Sequence, residues 1–179
     1  MKNAFLGSAL AAFLLVSFAS CSKETQTPAE PGTAKVMGKI WANTNEANDT
    51  LSDGSTAPAG EKVEYAPSGT MITFTIDGMD LDATPEAGYP YKKVVRMATV
   101  DASGNYTVDL PAFEQWISVE VSFNEFETNV TRYGTDPADT TATGMPATRQ
   151  YRERFEKSME MINVQAGGVY VRDFEYTIQ

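Results

Sequence analysis

The chain has no histidine, a single cysteine (Cys21), and 14 basic residues against 24 acidic ones. Each shortage excludes something. Without histidine, neither Ser-His-Asp nor Cys-His nucleophilic systems can be assembled, and the usual zinc ligand sets are lost. One cysteine cannot close an intramolecular disulfide. The acidic excess repels nucleic acid and anionic lipid headgroups, so no nucleic-acid partner is expected. Catalysis would have to rest on paired carboxylates, Lys or Tyr. No enzyme and no cofactor is expected from this set.

Long apolar runs are also scarce. The one present, Ala4 to Phe18, is uncharged, rich in Ala, Leu and Phe, and too short for a comfortable membrane span. A positively charged head, Met1-Lys2-Asn3, precedes it. Small residues Ala19 and Ser20 follow, and then Cys21. Head, apolar run and small-residue cleavage site are the three parts of an export signal.

A cleavage site directly before the sole cysteine narrows the class. Phe18-Ala19-Ser20-Cys21 resembles the lipobox of bacterial lipoproteins, and the following Ser22-Lys23-Glu24 resembles lipoproteins of the Bacteroidota phylum. The resemblance implies that Cys21 is lipidated and becomes the first residue of the mature chain. It also implies an outer-membrane lipoprotein of the cell envelope, with a lean toward surface display. The membrane would then be a partner through the N-terminal lipid. More than one acyl chain is needed for durable anchoring, and the lipoprotein modification supplies that.

Three segments follow. Residues 1–20 are the signal peptide, 21–33 the lipidated cysteine and a tether, and 34–179 one folded domain. Ser22 to Thr33 contains Pro28, Pro31 and Gly32 and no large apolar residue, so it reads as an extended, solvated linker. It reaches at most roughly 40 Å. Loss of the leader leaves 159 residues, with 13 basic and 24 acidic, net −11. That length suits one domain with a proper core.

Period-two alternation dominates the domain. Val36, Gly38 and Ile40 share a face opposite Met37, Lys39 and Trp41. Ile72, Phe74 and Ile76 alternate with Met71, Thr73 and Thr75. Tyr91 to Val100 carries Val94, Val95 and Met97. Asp101-Ala102-Ser103-Gly104-Asn105 is turn chemistry and predicts a hairpin into Tyr106, Val108 and Leu110, with Pro111 ending that strand. Ile117, Val119, Val121 and Phe123 alternate with Trp116, Ser118, Glu120 and Ser122. Arg149 to Lys157 fits both helical and strand spacing, and a strand is favoured because strands surround it. Met159 to Val164 continues to a turn at Gln165–Gly168. In Val169 to Ile178 the apolar parity switches, so a one-residue bulge near Arg172-Asp173 is expected to put Val169, Val171, Phe174, Tyr176 and Ile178 in one core. The expected fold is all-β, a β-sandwich of about seven strands.

Three stretches carry a further resemblance: Val36-Met37-Gly38-Lys39-Ile40, Ala98 through Ala112, and Ile162 through Phe174. In this order they resemble the transthyretin-like, carboxypeptidase regulatory-like domains. The resemblance implies a seven-stranded, transthyretin-like or Ig-like sandwich that serves as an accessory, adhesion or binding module without catalysis.

Several clusters are candidates for chemistry. Asp77, Asp80 and Asp82 form an oxygen-rich loop of the kind that binds Ca²⁺, though a solvated turn explains it more simply. Asn43, Asn45, Asn48, Asp49 and Asp53 form a second, weaker set. Trp41, Tyr89, Tyr91 and Trp116 are candidates for an aromatic ligand surface, with partial burial as the simpler account. Arg149, Arg152, Arg154 and Lys157 concentrate positive charge, but Glu153 and Glu156 interleave, which favours cross-strand pairing. Asp49-Thr50-Leu51 and Asp139-Thr140-Thr141 resemble the O-glycosylation acceptor of Bacteroidota, which would make Thr50 and Thr140 acceptors. The leading expectation is a lipid-anchored, non-catalytic binding or scaffolding module with a glycan or an envelope protein as partner. The alternatives are a glycan-binding accessory lipoprotein of a polysaccharide-uptake system and a small pilus or adhesin subunit.

Overall fold

The computed structural model describes residues 30–49, 62–134 and 147–179. Within them the alternating stretches form ten strands: β1 (Gly32–Ala42), β2 (Met71–Ile76), β3 (Val94–Thr99), β4 (Asn105–Ala112), β5 (Ile117–Phe123), β6 (Phe126–Tyr133), β7 (Thr148–Glu156), β8 (Glu160–Val164), β9 (Val169–Val171) and β10 (Phe174–Ile178). One sheet has the order β4-β1-β10-β7-β6, with β9 also paired to β1; the other has the order β3-β2-β5-β8. The two sheets form an all-β sandwich. Among the described residues no helix is long and apolar enough to cross a membrane.

The faces follow the alternation. Val36 and Ile40 of β1, Ile72, Phe74 and Ile76 of β2, Tyr106, Val108 and Leu110 of β4, and Ile117, Val119 and Val121 of β5 are all buried. Full burial of each large aliphatic or aromatic side chain contributes about 1.5–3 kcal/mol. Aromatic rings link the two layers. Phe74 of one sheet packs on Tyr106 of the other at 6.1 Å between centroids, and Tyr106 packs on Phe174 at 6.0 Å. Phe174 meets Phe123 at 4.8 Å, Phe123 meets Tyr176 at 6.0 Å, and Phe126 then joins Tyr176 to Phe155. The buried hydroxyls in this chain are satisfied: Tyr106 donates to the Arg172 carbonyl at 2.7 Å and Tyr176 to the Asn124 carbonyl at 2.8 Å. Burial pushes the Tyr176 phenol up to about 12 and raises that of Tyr106 as well.

The hairpin between β3 and β4 forms as its residues dictate. The Asp101 carboxylate accepts from the backbone of Ser103 at 2.7 Å and of Asn105 at 2.9 Å. These bonds, the Asn105 one foremost, hold its carboxyl below the usual range. Gly104 takes φ +76°, and the Tyr65 ring lies where a Cβ would stand.

The structure refines the strand count and corrects three expectations. Ten strands replace about seven, chiefly because β6 carries only two large apolar residues besides Tyr133, Phe126 and Val130, and its polar outer positions hide the period. The strand favoured for residues 149–157 does form, as β7, ending at Glu156 and fixed by an eight-pair antiparallel register with β6. Pro111 does not end β4; it lies opposite Thr33 inside the strand. β4 is an edge strand, where a missing N–H is tolerated. β1 likewise starts at Gly32, two residues before the expected domain boundary.

The expected bulge at Arg172-Asp173 is absent. Val36 faces Tyr170 and Ile40 faces Phe174, the same offset on both sides of the break. Parity is therefore kept. Val169 and Val171 lie on the outer face, 63% and 65% exposed, while Tyr170 between them is partly buried against the core.

Candidate functional site

Trp116 immediately precedes inward-facing Ile117, so the strand period turns its indole outward, and it is 62% exposed. Tyr170 comes from β9, on the other sheet. The two rings meet edge-on, 5.9 Å between centroids at 63°. Tyr170 is itself held: its hydroxyl accepts from the Gln165 backbone at 2.9 Å. Its ring covers Gly168, where an added Cβ would stand 2.6 Å from the ring carbons. The tight turn thus clamps Tyr170, and Tyr170 steadies Trp116.

These rings open a groove of about 650 Å³ between β8 and β9, whose lining also includes Met161, Glu160, Asn163 and Arg172. Met161 is 57% exposed and supplies apolar floor. Glu160 is ion-paired with Lys157. Arg172 is anchored through its main chain: its N–H donates to the Met37 carbonyl at 2.8 Å, and its carbonyl accepts from Tyr106. Its guanidinium has no hydrogen-bond or ion-pair partner among the described residues. The lining residues supply one carboxylate, not the pair that glycoside hydrolysis uses. The groove wall presents one flat ring, an amide and a cation.

A larger trough of about 790 Å³ runs over the outer face of β1 and β4. Its charges are already engaged. Lys35 pairs with Asp109 at 2.8 Å, and Lys39 donates to the Tyr65 hydroxyl at 3.1 Å. The smaller groove is the better site because it combines an exposed ring with an unspent cation.

The remaining residues singled out by sequence are dispersed. Trp41 is half-buried against Tyr65, 5.5 Å between centroids, and lines a separate cleft. Tyr89 and Tyr91 contact each other at 4.7 Å. The four aromatics therefore sit in three separate ring pairs. The acidic loop serves its own turns. Asp77 accepts from the Met79 backbone at 3.0 Å, while Asp82 accepts from Thr84 at 2.9 Å and from the Tyr91 hydroxyl at 2.7 Å. The Tyr91 bond foremost lowers the Asp82 carboxyl and raises the Tyr91 phenol. Among the described residues no group of three or more carboxylates is placed to hold a metal, so Asp77, Asp80 and Asp82 do not converge on a Ca²⁺ site.

In the Asn-rich loop, the Asn43 amide donates to Asp49 at 2.7 Å and the Asn48 amide to Glu64 at 2.9 Å. The loop is thereby tied to Glu64, next to Tyr65, which bridges to Trp41 of β1. The cationic stretch is paired across strands: Arg152 with Glu127 at 2.9 Å, and Arg154 with Glu125. Arg132 of β6 bridges Glu46 and Glu153 at 2.7 and 2.6 Å. Cys21, Thr50, Asp53 and Thr140 lie outside the described residues. Sequence reasoning found Trp116 but missed Tyr170 and Arg172, because 54 and 56 residues separate them from Trp116 and no local period signals the contact.

Fold and groove together define an all-β sandwich with a surface groove. No protein-family model and no curated protein matches the chain. Among solved structures, a "putative carbohydrate binding protein" from Pseudomonas aeruginosa is similar at 14% identity, over 83% of this chain and 92% of that one, with a TM-score of 0.38. The major plantain pollen allergen Pla l 1 is similar at 14% identity, over 80% and 93%, with a TM-score of 0.31.

Proposed function

We propose that the protein is a non-catalytic carbohydrate-binding module, held at the outer membrane of a cell envelope by a lipid on Cys21. The observation that carries the binding reading is Trp116, exposed yet fixed edge-on by Tyr170. An exposed indole pre-set by its neighbours offers a flat apolar face to the C–H face of a sugar ring at little entropic cost. Asn163, Glu160 and Arg172 stand around it for hydroxyl groups. The absence of histidine and of a second cysteine from the whole chain supports a role without nucleophilic chemistry. The resemblance of residues 34–179 to transthyretin-like accessory domains supports the same reading.

Titration with a panel of oligosaccharides, followed by Trp fluorescence and calorimetry, tests it. Trp116→Ala is expected to weaken binding by about tenfold, the effect of losing about 1.4 kcal/mol at a central aromatic contact. Trp41→Phe is expected to bind normally. No response to any saccharide would overturn the carbohydrate reading.

The anchor rests on Phe18-Ala19-Ser20-Cys21 and the uncharged run before it. Labelled palmitate is expected in the wild-type protein and not in Cys21→Ala. Equal labelling of the two would refute the anchor.

A further inference from the structure

The chain carries 24 carboxylates against 14 cations, so an arginine near the surface has acidic neighbours to choose from. Arg132, Arg152 and Arg154 are all engaged in this way. Among the described residues Arg172 has no such partner, although its backbone is fixed from both sides by Met37 and Tyr106. It lines the Trp116 groove, where Lys157 already neutralises Glu160. The uncompensated charge on the groove wall is therefore positive, in a protein whose overall charge is strongly negative.

We infer that the groove takes an acidic saccharide, one whose stacked ring carries a carboxylate, with Arg172 as the residue that receives it. The inference rests on the carbohydrate reading above and names the ligand's chemistry. A guanidinium presents parallel N–H donors that match the two oxygens of a planar carboxylate, and such paired, charged hydrogen bonds are stronger than neutral ones. The rigid main chain at residue 172 means the side chain starts from a fixed point, which favours geometry over mere charge attraction. Trp116 then covers the ring face while Asn163 reaches a hydroxyl. The negative field of the rest of the molecule discourages anions elsewhere, so the local cation also selects the site.

The test uses the full mature protein and three acidic oligosaccharides: oligogalacturonate, oligomannuronate and hyaluronan fragments. Each is compared with its methyl ester, which keeps the ring and removes the charge. At least one acid is expected to bind, with its ester at least tenfold weaker. Arg172→Gln is expected to weaken the acid at least tenfold and the ester several-fold less than the acid, and Arg172→Lys to recover only part of the loss, because the fork is gone. Arg172 is exposed, so unchanged circular dichroism is expected in both variants. If ester and acid bind equally, or if Arg172→Gln binds the acid as well as wild type, the inference fails and the carbohydrate reading stands. If neutral sugars bind and no acid does, the inference likewise fails alone. If no saccharide of any kind binds, both fail.

Discussion

Phe174→Ala is expected to lower stability by about 3–5 kcal/mol, the range for removing a large aromatic side chain from a packed core. Phe174 is 3% exposed and sits in the middle of the ring chain, touching Tyr106 on one side and Phe123 on the other. Its removal separates the contacts that join β4 and β10 of one sheet to β5 of the other. A domain of this size holds roughly 5–15 kcal/mol in total, so the loss is a large share of it. The melting temperature should fall by roughly 10–15 °C. Denaturant titration should show a lower midpoint with an unchanged slope. The informative comparison is Val171→Ala, three residues away. Val171 is 65% exposed on the outer face, and the change is expected to stay within about 0.5 kcal/mol. Similar losses from the two variants would contradict the continuous register of β9 and β10 on β1.

The second large effect is at Gly38. A Cβ there would stand 2.6 Å from the Arg172 carbonyl carbon, closer still to its oxygen, and 2.9 Å from the Asp173 carboxylate. That carbonyl accepts the Tyr106 hydroxyl. Gly38→Ala therefore crowds the backbone and also pushes away the acceptor of a buried phenol. Overpacking costs about 1–3 kcal/mol, and an orphaned buried donor a further 1–3 kcal/mol. A total of about 3–5 kcal/mol is expected. A double-mutant cycle with Tyr106→Phe checks the route. If the carbonyl shift is the cause, Gly38→Ala should cost less in the Tyr106→Phe background, with a coupling above about 0.5 kcal/mol. Strict additivity would show that the two sites are independent. Since Arg172 occupies the same backbone turn, ligand affinity should fall together with stability in Gly38→Ala.

Legibility varied along the chain for physical reasons. β2, β4 and β5 each have one face buried and one in water, so period-two alternation is written directly into Ile72-Phe74-Ile76, Tyr106-Val108-Leu110 and Ile117-Val119-Val121. β6 is an edge strand with polar residues at most outer positions. Only Phe126 and Val130 mark its inner face clearly, which is too little for a period to emerge. The C-terminal strand misled in the other direction. Val169 and Val171 are apolar, but the partner strand β1 sets their parity, and it turns them outward. Apolar character alone could not show that. The aromatic candidates had the same fate. Outward parity was readable at Trp41 and Trp116, but not which of them had a neighbour that would cover it.

Two levels of determination are distinguishable. The amino-acid sequence by itself settled the all-β class and most inward faces, because the period of a strand is a local property. Its lack of histidine and of a second cysteine likewise removed whole classes of chemistry, since composition does not depend on folding. Only the tertiary structure decided the groove. Trp116, Glu160, Asn163, Tyr170 and Arg172 come from three separate strand regions on two sheets, and they meet because β8 and β9 leave facing edges open. It also decided that, among the described residues, Arg172 has no carboxylate partner while Arg152 and Arg154 do. Pairing depends on which carboxylate the opposite strand presents, and that is fixed by register rather than by sequence distance.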